Sequence, residues 1–187
     1  MKQPAIFLDR DGVINRNRPD HIKTWDEFEF LPGVLGALAR LAGVGWPVLV
    51  VSNQGAIGRG QTTQAAVDEI NRRMVAEIRS AGGRIDDVLY CPHRPEDGCA
   101  CRKPRPGLLL QAAERWQIDL AASVLIGDAA ADILAAQSAG CRPLLVLTGR
   151  GAQELAALQA SGHDGFAVAD DLPAAVDWIS ASMRAAP

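Results

Sequence analysis

The chain predicts a doubly wound α/β domain, Rossmann-like, with a mainly parallel sheet, on three observations. Short, uninterrupted, β-branched apolar runs recur along it, as strands covered on both faces do. Segments carrying helical apolar stripes separate these runs. Each run then gives way to polar and charged residues, at the strand ends where such folds place their chemistry.

The elements follow in order. Ala5 to Leu8 is the first run, and Pro32-Gly33 opens a helix whose stripe is Val34, Leu35, Leu38, Ala39 and Leu41. Val48 to Val51 reads as the second strand, followed by a helix with Val67, Ile70, Met74, Val75 and Ile78 on one face and charges on the other. Val88 to Tyr90 is the third strand and Leu108 to Trp116 the next helix. Val124 to Ile126 and Leu144 to Leu147 complete the strands; Ile133 to Ala139, Leu155 to Leu158 and Ala174 to Met183 complete the helices. No repeat, low-complexity stretch or linker interrupts the alternation, so 1–187 reads as one domain.

Composition sets the bounds. The 187 residues are enough for a single continuous core, and 48% of them are hydrophobic. A formal net charge of -3 gives no clustered basic excess, so no nucleic-acid partner is expected. Met1-Lys2-Gln3-Pro4 leads straight into a strand without a signal-peptide apolar region, and no run is long enough to span a bilayer. The expectation is a cytoplasmic monomer with reduced thiols and no membrane contact.

Asp9-Arg10-Asp11-Gly12 ends the first strand with two carboxylates two residues apart, on one face while the strand persists, and Gly12 then turns the backbone away. Like charges held this close call for a neutralising cation, and oxygen ligands suit Mg²⁺. The plain alternative is a polar strand end with an Asp-Gly turn. The second strand ends in Ser52-Asn53-Gln54-Gly55, the third leads through Cys91-Pro92-His93 to Arg102-Lys103-Pro104, and the fourth ends in Gly127-Asp128 with Asp132 a helical turn later. Taken singly, Ser52 caps a turn, Lys103 is solvated and Asp128 is an N-cap. All of these holding together at successive strand ends is improbable.

These residues, in this order, resemble the four motifs of the haloacid dehalogenase superfamily of phosphohydrolases. The likeness covers nearly the whole chain. It is tightest at Phe7 to Asn15, Phe28 to Gly33, and Cys91-Pro92-His93 through Cys101 to Pro104, which look like the D-glycero-D-manno-heptose 1,7-bisphosphate 7-phosphatases. Histidinol-phosphate phosphatases are close relatives within the same subgroup. The resemblance implies Asp9 as nucleophile and Asp11 as the acid and base, with a small phosphorylated sugar as substrate. It implies Mg²⁺ on the side chains of Asp9 and Asp128 and the backbone carbonyl of Asp11. Ser52 and Lys103 would hold the phosphoryl oxygens, and Asp132 would support Lys103 or the metal's waters. It places Asn17, Arg18, Pro19, Asp20, Asn53, Gln54, Gly55 and Arg102 at the substrate entrance. Arg102, and as a weaker candidate Arg59, suit a second phosphate. The intervals between motifs leave no room for a cap domain.

Cys91-x-His93-x₅-Cys99-x-Cys101 supplies three thiolates and an imidazole, a closed structural Zn²⁺ set. Cys99 and Cys101 are too close for a relaxed disulfide; a redox-active thiol pair is the remaining alternative. Zinc would stand in for the missing core of a Pro- and Gly-rich loop and fix Arg102 and Lys103. Cys141 reads as an ordinary buried residue.

The chain departs from the heptose-phosphatase pattern in three places. His21-Ile22-Lys23 replaces an aromatic-Val pair, Gly55-Ala56 replaces Ser-Gly, and Ala129 stands where a polar residue is frequent. His21 reads as a surface or turn residue. A receiver domain is disfavoured because its phosphoacceptor ends the third strand, here Cys91, and a non-catalytic zinc module because no carboxylate or lysine is lost.

Overall fold

Runs such as Ile6-Phe7-Leu8 and Val48-Leu49-Val50-Val51 have no polar face because both faces of their sheet are covered. The computed structural model describes residues 2–184. Its strands are β1 (Ile6–Leu8), β2 (Val48–Asn53), β3 (Asp87–Cys91), β4 (Val124–Gly127), β5 (Arg142–Val146) and β6 (Ala167–Ala169). They form one sheet in the order β3-β2-β1-β4-β5-β6, with every pairing parallel. The helices are α1 (Val34–Ala42), α2 (Gln64–Ser80), α3 (Gly107–Trp116), α4 (Ala130–Ala139), α5 (Gly151–Ala160) and α6 (Leu172–Arg184).

Successive strand residues face opposite layers. Ile6, Leu8, Val48, Val50, Val124 and Ile126 pack with Leu38, Leu41, Met74, Ile78 and Val176 from α1, α2 and α6. Phe7, Leu49, Val51 and Leu125 pack on the other side with Leu108, Leu109 and Ala112 of α3 and Ala135 and Ala136 of α4. A satellite cluster of Ile133, Leu145 and Leu158 seats α5. The sheet is thus a two-sided wall whose carboxyl edge is fixed by burial of nearly every residue behind it. The chain leaves β1 toward β2 and later returns to β4 on the other side, so a crevice opens above β1 and β4.

All five predicted strands are present. β6 was not predicted; three residues with two alanines give little periodic signal. The excursion after β1 is pinned at its base by Leu31 N–H donating to Ile14 O (3.0 Å) and Arg16 N–H to Glu29 O (2.8 Å). A stacked Trp25–Phe28 pair and an edge-on Phe28–Phe30 pair, each with centroids 5.0 Å apart, tie it to the core. Among the described residues, only this loop, a short 3-10 turn (Trp25–Glu27) and α1 separate β1 from β2, and only α2 lies between β2 and β3. No cap is inserted there.

Candidate active site

β1 ends at Leu8, and the Asp9 amide still pairs with Ile126 O of β4 (2.9 Å). Asp11 lies beyond the strand, in a turn closed by Gly12 N–H donating to Asn15 O (2.7 Å). The two carboxylates therefore share a cleft through the turn rather than through strand alternation, which corrects the sequence-level reason for their proximity. The cleft, of about 630 Å³, is lined by Asp9, Asp11, Ser52, Asn53, Arg102, Lys103, Asp132 and Arg150, with Asn17, Arg18, Pro19 and His21 from the loop after β1.

Lys103 is 4% exposed and its ammonium lies 2.9 Å from Asp9 Oδ1 and 2.5 Å from Asp132 Oδ1, while donating to Val51 O at 2.7 Å. Burial opposes the charged ammonium, but the Asp132 and Asp9 carboxylates outweigh it and hold the lysine protonated above its ordinary range. Asn53 positions the Lys103 backbone from both ends: its Nδ2 donates to Lys103 O (3.0 Å) and its Oδ1 accepts from Lys103 N–H (3.1 Å). Asp132 also accepts from the Ala129 amide at 3.1 Å, so it caps α4 and braces the lysine together.

Asp128 is wholly buried; its Oδ2 accepts from the Arg150 amide (2.9 Å), and its Oδ1 has no hydrogen-bond partner among the described residues. Gly12 and Gly149, both at positive φ, press against it. A Cβ at either position would come within 2.1 Å and 2.2 Å of Asp128 Oδ2. Burial, with the Asp9 and Asp132 charges adding to it, pushes the Asp128 carboxyl up to about 7. Burial likewise pushes Asp9 up to about 6 against the pull of Lys103. Carboxylate oxygens of Asp9, Asp128 and Asp132 lie within 4.8 Å of one another. A buried, crowded oxygen set with one orphan oxygen fits a hard divalent cation such as Mg²⁺, whose charge would relieve the repulsion.

Asp11 is held differently. Asn15 Nδ2 donates to its Oδ1 (2.9 Å), Gln54 Nε2 to its Oδ2 (2.8 Å), and one Arg10 nitrogen reaches both oxygens (3.2 and 3.0 Å). Burial raises this carboxyl, but the Arg10 charge and the hydrogen bonds from Asn15, Gln54 and Arg10 outweigh it and leave it below its ordinary range. Ser52, 2% exposed, accepts from Gln54 Nε2 at 2.8 Å.

At the rim, Arg102 donates to His93 O (3.1 Å), and Arg59 meets the His21 ring, whose residue adopts left-handed backbone (φ 63°). Burial and the Arg59 charge hold the His21 imidazole below its usual range. Beside them, donor atoms of Cys91, His93, Cys99 and Cys101 lie within 4.8 Å of one another, with separations of 3.2–3.5 Å. Arg105 reaches Cys99 O (2.7 Å), and a Cβ on Gly107 would strike Ala100 O, so this loop sits directly on the start of α3.

Most residues singled out from the sequence converge. Three predicted for the entrance do not line the cleft: Asp20 faces solvent beside Lys23 and Arg18, Gln54 is buried behind Asp11 and Ser52, and Gly55 is buried beneath Arg59. Asp128 lies below the lining, as an enclosed ligand would. Sequence reasoning passed over Arg10, Asn15, Asn71, Gly149 and the Arg150 amide. None left a periodic trace: Arg10 lies beyond the end of β1, so alternation does not place it, and its guanidinium turns back onto Asp11.

The HAD-hydrolase-like family matches residues 100–175. The D-glycero-beta-D-manno-heptose-1,7-bisphosphate 7-phosphatase of Bordetella bronchiseptica is 42% identical over 174 residues, covering 93% of this chain and 96% of its own. That of Pseudomonas aeruginosa is 42% identical over 155 residues, 83% of this chain and 87% of its own. A crystal structure of D,D-heptose 1.7-bisphosphate phosphatase from B. bronchiseptica, complexed with magnesium and phosphate, superposes with a TM-score of 0.91 at 40% identity, over 96% of this chain and 99% of that one. With its parallel sheet and its buried carboxylate–lysine cluster, the chain belongs to the haloacid dehalogenase superfamily of phosphatases, where it closely resembles the D-glycero-D-manno-heptose 1,7-bisphosphate 7-phosphatases.

Proposed function

We propose that this enzyme removes the 7-phosphate of D-glycero-D-manno-heptose 1,7-bisphosphate, with Asp9 as nucleophile and Asp11 as proton carrier. The observation that carries the reading is the buried Asp9–Lys103–Asp132 cluster beside the orphan oxygen of Asp128, in a chain 42% identical to two such phosphatases. An Asp9 oxygen attacks phosphorus, the bond from phosphorus to the sugar oxygen breaks, and the proton on Asp11 passes to that oxygen. Asp11, now ionised, takes a proton from water; the oxygen of that water attacks the aspartyl phosphate, freeing Asp9 and inorganic phosphate. The contacts that favour ionised Asp11 suit it to this second step. Ser52 and Lys103 hold the phosphoryl oxygens as charge redistributes. Asp9, Asp128 and the Asp11 carbonyl would hold Mg²⁺, which supplies positive charge against the anionic phosphate.

Cys91, His93, Cys99 and Cys101 form a structural Zn²⁺ site in this reading. Zn–S bonds of about 2.3 Å at tetrahedral angles separate donors by about 3.8 Å, a few tenths of an ångström more than the present spacing, and no coordination position remains for water. Arg102 and Arg59 serve the remote phosphate, and 1–187 acts as one cytoplasmic, monomeric domain. No described helix is long and apolar enough to cross a membrane. The test compares kcat/KM for the heptose bisphosphate and histidinol phosphate, with and without Mg²⁺. A preference for histidinol phosphate would sink the heptose assignment.

A further inference from the structure

We propose that Arg10 is a positioning residue, whose buried guanidinium, anchored on Asn71 of α2, fixes the Asp11 carboxylate for proton transfer to the leaving oxygen. This rests on the reading of Asp11 given above. Arg10 is 1% exposed and so does not touch substrate. One of its terminal nitrogens donates to Asn71 Oδ1 (3.1 Å); the other reaches Gln54 Oε1 (3.0 Å) and both oxygens of Asp11. With Asn15 on Oδ1 and Gln54 on Oδ2, each oxygen of the ionised Asp11 has two donors; the protonated acid gives up one of them and keeps the others, so turning the carboxyl group still breaks several contacts at once. Gln54 Nε2 also donates to Ser52 Oγ (2.8 Å), joining the proton carrier to the phosphoryl-binding hydroxyl.

The arrangement has a cost that packing alone does not explain. A buried arginine is expensive, and the Nε of Arg10 has no hydrogen-bond partner among the described residues, which adds to the cost. Asn71 occupies the core face of α2 among Val67, Ile70 and Met74, where an apolar residue would pack better. Both polar residues converge on the one network member besides Ser52 that reaches the cleft, Asp11. Their shared output is the orientation of that carboxylate.

The experiment measures kcat/KM for the sugar phosphate and for p-nitrophenyl phosphate, whose phenolate departs without needing a proton. This ratio reports the steps up to loss of the alcohol, so hydrolysis of the aspartyl phosphate does not mask it. Arg10→Gln is expected to lose about 30-fold or more on the sugar phosphate and under about 3-fold on the aryl ester, with KM nearly unchanged. Arg10→Lys recovers part of the loss. Asn71→Leu, which removes the anchor and leaves Asp11 and its other donors intact, shows the same selective pattern at about 10-fold. If the Arg10 variants fail to fold, Asn71→Leu decides alone. Equal losses on both substrates, or no loss in Asn71→Leu, overturn the inference. Asp11→Asn is the control: absence of selective loss there means that Asp11 is not the acid, and the underlying reading fails first.

Discussion

The floor of the cleft and its rim both carry charged side chains, yet these are held in different ways. On the floor, Lys103 is 4% exposed and has Asp9, Asp132 and the Val51 carbonyl as partners. On the rim, Arg18 and Arg59 are exposed and contact other rim side chains, Arg18 meeting Asp20 of its own loop and Arg59 the His21 ring. Floor charges act in a medium that screens little, and their geometry is set before substrate arrives. Rim charges are solvated and adjustable. Under the proposed mechanism, this division would give the reaction to the floor and the choice of substrate to the rim.

Substitutions test that division, beginning with the largest effect. Asp9→Asn is expected to cut phosphate release by on the order of 10⁴-fold or more while the protein still melts cooperatively. Near-normal turnover excludes a covalent route through Asp9. Gly12→Ala should follow, because its Cβ has no room beside Asp128 and its positive φ adds strain of about 1–3 kcal/mol. A Mg²⁺ titration of activity should shift to concentrations about tenfold higher or more. An unchanged titration would detach Asp128 from the metal.

The Cys/His loop lies beside the rim, where Arg102 donates to His93 O, and leads into Lys103 of the floor. Freshly prepared reduced protein should contain about one zinc per chain, and Cys99→Ser should lose it. Melting should fall by about 5 °C or more, since the loop has little core of its own. Elemental analysis without zinc in the unaltered protein defeats the structural-site reading. Smaller still is Arg102→Ala. A charge-assisted contact to a remote phosphate is worth about 1.5–3 kcal/mol, so one to two decades of kcat/KM should disappear for the bisphosphate and much less for a generic ester. Equal loss on both moves Arg102 to the floor. Arg18→Ala, solvated and paired with exposed Asp20, should change kcat/KM by less than about threefold.

The same contrast explains what the sequence made legible. Asp9 and Asp128 directly follow β1 and β4, Ser52 is the penultimate residue of β2, and Lys103 stands on the loop after β3; the apolar runs place those strands, so the floor was readable. The six-residue β2 carries an uninterrupted apolar run and the seventeen-residue α2 a long periodic stripe, whereas β6 has three residues and was missed. Arg10 and Asn71 were missed because a polar residue on a buried face has no periodic signature; its partners lie 61 positions apart. Asp20, Gln54 and Gly55 were placed at the entrance by resemblance along the sequence, which does not distinguish a residue lining a cleft from one just behind it.

The enclosure of Asp128 has a consequence for how this chain tolerates variation. Every missense change of a glycine codon introduces a side-chain carbon. Gly12 and Gly149, 137 positions apart, each lack space for one because both abut the same carboxylate oxygen. In a saturation library scored for activity, both positions should therefore tolerate only synonymous changes. Neither should be rescued by altering the other, since each clash involves Asp128, and an added Cβ at Gly149 also comes within 2.7 Å of Gly12 Cα, which every substitution at Gly12 retains. Gly36, which has nothing within 4 Å of an added Cβ, provides the internal standard for a permissive glycine.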